Sequence, residues 1–292
     1  MILLGTTAAI LAMVLWTISG TINKKVATGL GTHVSAFLYV LVSLIPVLIA
    51  TMVIGIYSIS PFGIETSVVA GVFLAVGFIF GFKALSTENL SSVSALQEIM
   101  PALLLLFGLF ILGEKINEVQ FVGIMVIALG TLMTITTERL EINKKMLPAI
   151  LAVVSWAIYW MIISYSVISA KTFALPILIS RIISLPVTLI YLLSNSEAVS
   201  SLTSLPSRIN TNRTAAVLLV LVSIASFADA SGDTIFGITS GSSVLAIGAA
   251  LVALQPMVVS FLAFVIYKDK LTKLQLIGLI VMLVGALILS VL

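Results

Sequence analysis

The chain has 292 residues, 61% of them hydrophobic and only 9% charged, and its mean hydropathy of +1.30 lies far above that of a water-soluble domain. The net charge of +3 comes from Lys and Arg in the polar connections, a balance that reports membrane topology and lipid headgroups and points away from nucleic acid. Cysteine is absent and His33 is the single histidine, which excludes disulfides, thiolate metal sites and a histidine metal cluster.

A helix that crosses hydrocarbon needs roughly 20 mostly apolar residues, because each backbone N–H and C=O must be satisfied within it. About ten such spans are expected by that rule. None shows the alternation of a barrel strand, so the fold class is an all-α membrane protein. The first span, near 3–22, lacks a basic leader and a small-residue cleavage site and reads as a retained helix; it carries Trp16 in "LAMVLW". His33 is expected in the loop that follows. The second span, near 34–57, carries Tyr39 and Pro46. The third, near 66–86, contains Gly77 and Gly81, a GxxxG step suited to close helix approach, and Lys83 near its end, where a lysine snorkels to the interface.

The fourth span, near 91–112, holds Glu98 three residues before Pro101. Proline frees a carbonyl one turn back and kinks the helix. Glu98 therefore stands at a polar opening, a candidate to bind substrate or a proton, or to pair with Arg181. Glu114 and Lys115 flank the fifth span, near 118–137, with Gly123 and Gly130. The sixth, near 147–168, opens with "LAVVSW" ending at Trp156, then Tyr159 and Trp160. The seventh, near 172–194, carries Arg181 in mid-helix, placed either to meet a substrate carboxylate or to balance an acid. A polar connection, 195–213, precedes the eighth span, near 214–238.

That eighth span contains "SFADASGDTIFG". A charge at the bilayer centre costs about 2.5–3.5 kcal/mol on insertion scales, so it normally faces a cavity or a partner. Asp229 and Asp233 are four apart and share a helix face, with Ser226 one turn earlier. This face suits an aqueous path, a cationic group or proton coupling. The structural alternatives are a helix break capped at "SGD" and pairing with Arg181. The ninth span, near 242–266, contains Pro256, and Asp269 and Lys270 stand between it and the tenth, near 272–291, with Gly278 and Gly285.

Laid on itself, the chain repeats. One offset brings Pro101 onto Pro256, Glu114 onto Asp269, Lys115 onto Lys270, Gln120 onto Gln275, Gly123 onto Gly278 and Gly130 onto Gly285. A second register brings Trp16 onto Trp156 and Pro46 onto Pro186. The units are 1–137 and 147–292, joined by a loop at 138–146. Five spans per unit is an odd number, so the second unit enters the membrane from the opposite side. Inverted repeats of this kind are a plan of secondary transporters, with the substrate site near the midplane between halves.

The stretches "PALLLLFGLFILGEKINEVQFVGIMVIALG" from Pro101 and "PMVVSFLAFVIYKDKLTKLQLIGLIVMLVG" from Pro256 resemble the EamA-like branch of the drug/metabolite transporter superfamily. The second copy departs at Tyr267-Lys268-Asp269, where Gly-Glu is usual. The resemblance covers almost the whole chain. It implies ten helices in two five-helix repeats, spans one to four and six to nine around a central cavity and five and ten as braces. It leaves amino acids, amines, other metabolites and nucleotide sugars open as cargo, and it gives Pro101, Pro256, Glu114 and Asp269 a structural role.

The expected function is secondary transport of a small polar metabolite, an amino acid or organic amine, across the cytoplasmic membrane by alternating access, in the export direction and with possible proton coupling. Asp229, Glu98 and Asp233 would take a substrate amine or proton, with Arg181 and Ser226 beside them. Trp16 and Trp156 would line the cavity, because an aromatic face attracts organic cations. Tyr39, Tyr159 and Trp160 read as interfacial anchors. A nucleotide-sugar exchanger, which would call for several cavity Lys or Arg, and a membrane channel are the alternatives. An enzyme would need a convergent nucleophile or metal set that this sequence lacks; no GxxxxGK[ST] motif occurs and no cofactor is expected. The expected partners are the substrate, the lipid bilayer and protons. Lys and Arg cluster after spans one, five, seven and nine, from Lys24 and Lys25 to Lys268 and Lys270. The positive-inside rule then places both termini outside the cytoplasm, whereas the resemblance implies both inside.

Overall fold

The computed structural model describes residues 2–55, 59–87, 93, 96–97, 99–135, 146–170, 172–211, 213–241, 245–255, 258–259 and 272–290. The described secondary structure is helical. The elements are α1 (Ile2–Leu30), α2 (Thr32–Ile54), α3 (Pro61–Thr87), α4 (Ile99–Phe110), α5 (Glu118–Ile135), α6 (Leu147–Ala170), α7 (Ala174–Leu193), α8 (Ser196–Thr203), α9 (Leu205–Thr211), α10 (Arg213–Gly241), α11 (Leu245–Val252) and α12 (Lys273–Ser290). Among the described residues, six helices (α1, α2, α3, α6, α7 and α10) are long and apolar enough to cross a membrane, and α4, α5 and α12 are shorter apolar helices. Large apolar side chains such as Leu3, Val53, Phe110 and Ile190 point outward, as hydrocarbon around the bundle requires.

The extensive packing runs between the halves of the sequence. α3 lies on α6 and α7, α1 and α2 lie on α10, α2 on α7, α4 on α11, and α5 on α12. Glycine sets the closest of these approaches. A Cβ on Gly123 would stand 3.1 Å from the Gly285 carbonyl oxygen, and one on Gly130 would stand 2.7 Å from that of Gly278. The pairing joins the earlier glycine of α5 to the later one of α12 and the reverse, so the two helices cross antiparallel.

Several local expectations change. α1 runs on to Leu30, so Lys24 and Lys25 lie inside a helix and not in a loop. Lys24 Nζ donates to the Leu85 carbonyl near the end of α3, where helix carbonyls lack intrahelical donors. His33 sits in the first turn of α2, its ring stacked on Tyr191 at 4.1 Å. The polar connection at 195–213 contains α8 and α9, and the Asn195 side chain caps α8 by accepting from Ala198 N. The "SGD" stretch breaks nothing, because α10 is continuous through it: Ser and Gly are tolerated where neighbouring helices press close. Glu98, Pro256 and Asp269 lie outside the described residues.

Candidate functional site

Arg181 stands mid-way along α7, fully buried. Its Nη2 donates to Asp229 Oδ2 at 2.7 Å and also to Asp233 Oδ2, both on α10. The four-residue spacing in α10 puts the carboxylates one turn apart on one face, which lets a single guanidinium nitrogen serve both. Their exposure differs: the Asp229 side chain retains 16%, the Asp233 side chain 6% and Arg181 none. The Arg181 guanidinium carbon also lies 5.2 Å from the Phe78 ring centroid, a cation–π contact favoured where water is excluded. Its Nε and Nη1 have no hydrogen-bond partner among the described residues. The sequence left pairing with Glu98 open for Arg181; the structure pairs it with the two aspartates.

Asp229 and Asp233 face a cavity enclosing about 930 Å³ of empty space out to its open mouth, walled by α1, α2, α3, α4, α6 and α10. Pro101, Gln97 and Gln255 reach it from the region of the fourth and ninth spans. Seven of its nineteen lining residues are aromatic. Trp16 and Trp156 both line it, and so do Tyr39, Tyr159 and Trp160, which the sequence reading put at the membrane surface. Tyr39, Tyr159 and Trp160 are buried because their positions fall on the inward faces of α2 and α6. Tyr159 is three residues after Trp156 and packs edge-on to Trp160 at 5.2 Å. Among the described residues, no Lys or Arg lines the cavity.

Two tryptophans occupy matching seats. Trp16 Nε1 would meet a Cβ on Gly232 at 2.8 Å, and the Trp156 ring would meet one on Gly77 at 2.4 Å, with its Cη2 2.8 Å from a Cβ on Gly81. The offset that brings Pro101 onto Pro256 also brings Gly77 onto Gly232. Gly77 and Gly81 therefore make room for an indole and not for a helix backbone. The halves differ one residue later, where Phe78 corresponds to Asp233. Trp16 Nε1 donates to Asp233 Oδ1 at 3.0 Å, whereas Trp156 stacks edge-on against Phe78 at 6.0 Å.

Ser226 does not join this site. It is fully buried, and its hydroxyl donates to the Tyr39 carbonyl at 2.6 Å, tying α10 to α2. Glu114 links two elements: its carboxylate oxygens accept from Leu245 N at 2.8 Å and Ala246 N at 2.7 Å, capping buried donors at the start of α11. Sequence reading missed Asn23, which lines the cavity. Its spacing of four from Ser19 and seven from Trp16 marks one helix face, but the Lys24-Lys25 pair beside it places the end of the apolar run before it.

A search of the curated proteins finds no match. Among 29 matching chains of solved structures, one titled "Crystal structure of protein" superposes with a TM-score of 0.61 at 15% identity, over 98% of this chain and 97% of that chain; this likeness concerns the fold alone. The family model described as "EamA-like transporter family" matches residues 3–136 and again 143–291. Two matches in tandem span nearly the whole chain, and the chain belongs to the EamA-like transporter family.

Proposed function

We propose that this membrane transporter carries small polar metabolites bearing an amino group, amino acids or organic amines, by alternating access. It exports them across the cytoplasmic membrane, with protons exchanged at Asp229 and Asp233. The observation that carries the reading is the charge of the cavity wall. Two carboxylates share one guanidinium, so the ionised cluster has a net charge of −1, and no described lining residue supplies a second cation. A buried excess charge is costly until compensated, and a protonated amine or a proton is the smallest group that compensates it. The aromatic surround favours the same cargo. A nucleotide-sugar exchanger would need basic side chains where this wall has acids and rings.

Tandem family matches and the antiparallel crossing of α5 and α12 support the finer architecture we infer: ten spans in two inverted five-helix repeats. The test is uptake of labelled amino acids, amines and nucleotide sugars into proteoliposomes, with and without an imposed pH gradient, for the wild type and Asp229→Asn. Saturable, gradient-driven uptake of an amine or amino acid is expected, with at least a tenfold loss in the variant. Undiminished uptake by Asp229→Asn would remove the site. Rates that do not saturate would favour a channel.

A further inference from the structure

The cavity reaches only part of the way through the bundle. Lys24 of α1 bonds to Leu85 of α3, and a Cβ on Gly29 would touch Leu218 near the start of α10. The late turns of α1 and α3 therefore share a face with the early turns of α10. On α1 the lining residues run from Trp16 on to Asn23, and on α3 from Leu74 on to Leu85; on α6 and α10 they stop at Trp160 and Asp233. The mouth lies between the late turns of α1 and α3, and the late turns of α6 and α10 are sealed.

The seal is aromatic. Trp160 of α6 meets Phe236 of α10 edge-on at 4.8 Å and Trp16 of α1 at 5.8 Å, and Trp16 meets Phe236 at 5.1 Å. One turn beyond, Ser164 and Ser240 join α6 to α10 through hydroxyls 3.0 Å apart. Both layers have counterparts at the mouth. The register that brings Trp16 onto Trp156 brings Gly20 onto Trp160 and Lys24 onto Ser164, and the offset that brings Gly77 onto Gly232 brings Gly81 onto Phe236 and Leu85 onto Ser240. Lys24 Nζ donates to the Leu85 carbonyl at 2.5 Å, so each half carries a clasp at the same pair of positions. The layer inside the clasp differs: two large rings close one seam, while two glycines that line the cavity leave the other open. Nothing lies within 4 Å of a Cβ built on Gly20.

We propose that the cargo leaves between the late turns of α6 and α10, as Trp160 withdraws from Trp16 and Phe236 and the Ser164–Ser240 hydrogen bond opens. The inference rests on the alternating-access and inverted-repeat readings above and not on the choice of cargo. One inverted repeat rocks against the other about a fixed site, so the seam closed in one state is the open one in the next. The α6–α10 seam is suited to parting. These helices touch sparsely compared with α1 on α10 or α3 on α6, and a neutral hydrogen bond contributes little net stability. Asp233 lies on the cavity side of the rings, with Trp16 Nε1 bonded to its Oδ1. Cargo or a proton arriving there acts on the seal through one contact.

Because the chain contains no cysteine, an introduced thiol reports from a silent background. Leu74→Cys and, separately, Ser240→Cys in the purified full-length protein in nanodiscs are treated with 2-(trimethylammonium)ethyl methanethiosulfonate, a small cation. Leu74 lines the cavity, so a thiol there is expected to react through the mouth, and Gly20→Trp should slow it about tenfold or more by removing its access. A thiol at position 240 should react slowly behind the rings, and Trp160→Gly should speed it about tenfold or more. Trp160→Leu, which leaves a smaller gap, gives the same comparison if the glycine variant fails to fold. Oxidation of the pair Ser164→Cys and Ser240→Cys should stop uptake of every compound carried in the proteoliposome assay above, with recovery on reduction. An unchanged rate at position 240 in the Trp160 variant overturns the proposal, as does an unchanged rate at position 74 in Gly20→Trp or uptake that continues after both thiols of the pair are lost. If no amine or amino acid is taken up by any preparation, the amine reading falls, and the thiol rates still decide the seam.

Discussion

Arg181 shows how one residue can hold a membrane bundle together and leave it charged. It is the only described basic side chain in contact with the two aspartates, and its removal would strand them both. Arg181→Gln is expected to destabilise the protein by about 3–5 kcal/mol, the usual effect of breaking a buried ion pair, seen as a lower melting temperature in detergent. Adding Asp233→Asn should restore part of the loss, giving a favourable coupling in a double-mutant cycle. All three ionisable residues were legible in the sequence, because a charged residue type inside an apolar run identifies itself. What each one touches was not. Ser226 shares the helical spacing of the acids, yet it turns to the Tyr39 carbonyl, since spacing defines a face without saying which neighbour covers it. Asn23 carries no charge and stands beside two lysines, so hydropathy ended the first span just before it.

At the scale of elements, glycine decides geometry. The sequence showed Gly77, Gly81, Gly123 and Gly130 as places where something comes close. It could not distinguish a backbone, which lies against Gly123 and Gly130, from an indole, which lies against Gly77 and Gly81. Gly77→Val and Gly232→Val would each drive a side chain into a tryptophan ring. A destabilisation of about 1–3 kcal/mol, typical of overpacking, is expected with a shift of tryptophan emission, and differential scanning fluorimetry with emission spectra would check both. The Glu114 cap works between elements distant in sequence. Glu114→Ala leaves the Leu245 and Ala246 N–H groups without their acceptor, and a loss of about 0.5–2 kcal/mol, as for other helix caps, should appear as a lowered melting temperature. The position of Glu114 in the repeat was legible in the sequence; its partner was not, because the contact joins residues 131 apart in the chain.

For the molecule as a whole, the halves are interleaved: α3 grips the second half and α10 grips the first. The cavity lies inside that exchange, so either half moving against the other must alter its walls. One junction is built differently. Where α5 crosses α12, paired glycines bring backbone against backbone, and the buried side chains of Ile127, Met282 and Leu289 seat over the same glycines. Side chains seated in the gaps left by glycine tie the two helices together, so α5 and α12 are expected to keep their contact as one pin while the rest of the bundle rearranges. The chain contains no cysteine, which makes the idea simple to examine with introduced pairs. A disulfide tying α5 to α12 should leave transport within about twofold of the reduced protein, whereas one tying α1 to α10 should arrest it until a reductant is added. A fixed hinge pin and a free door would be told apart by one bottle of dithiothreitol.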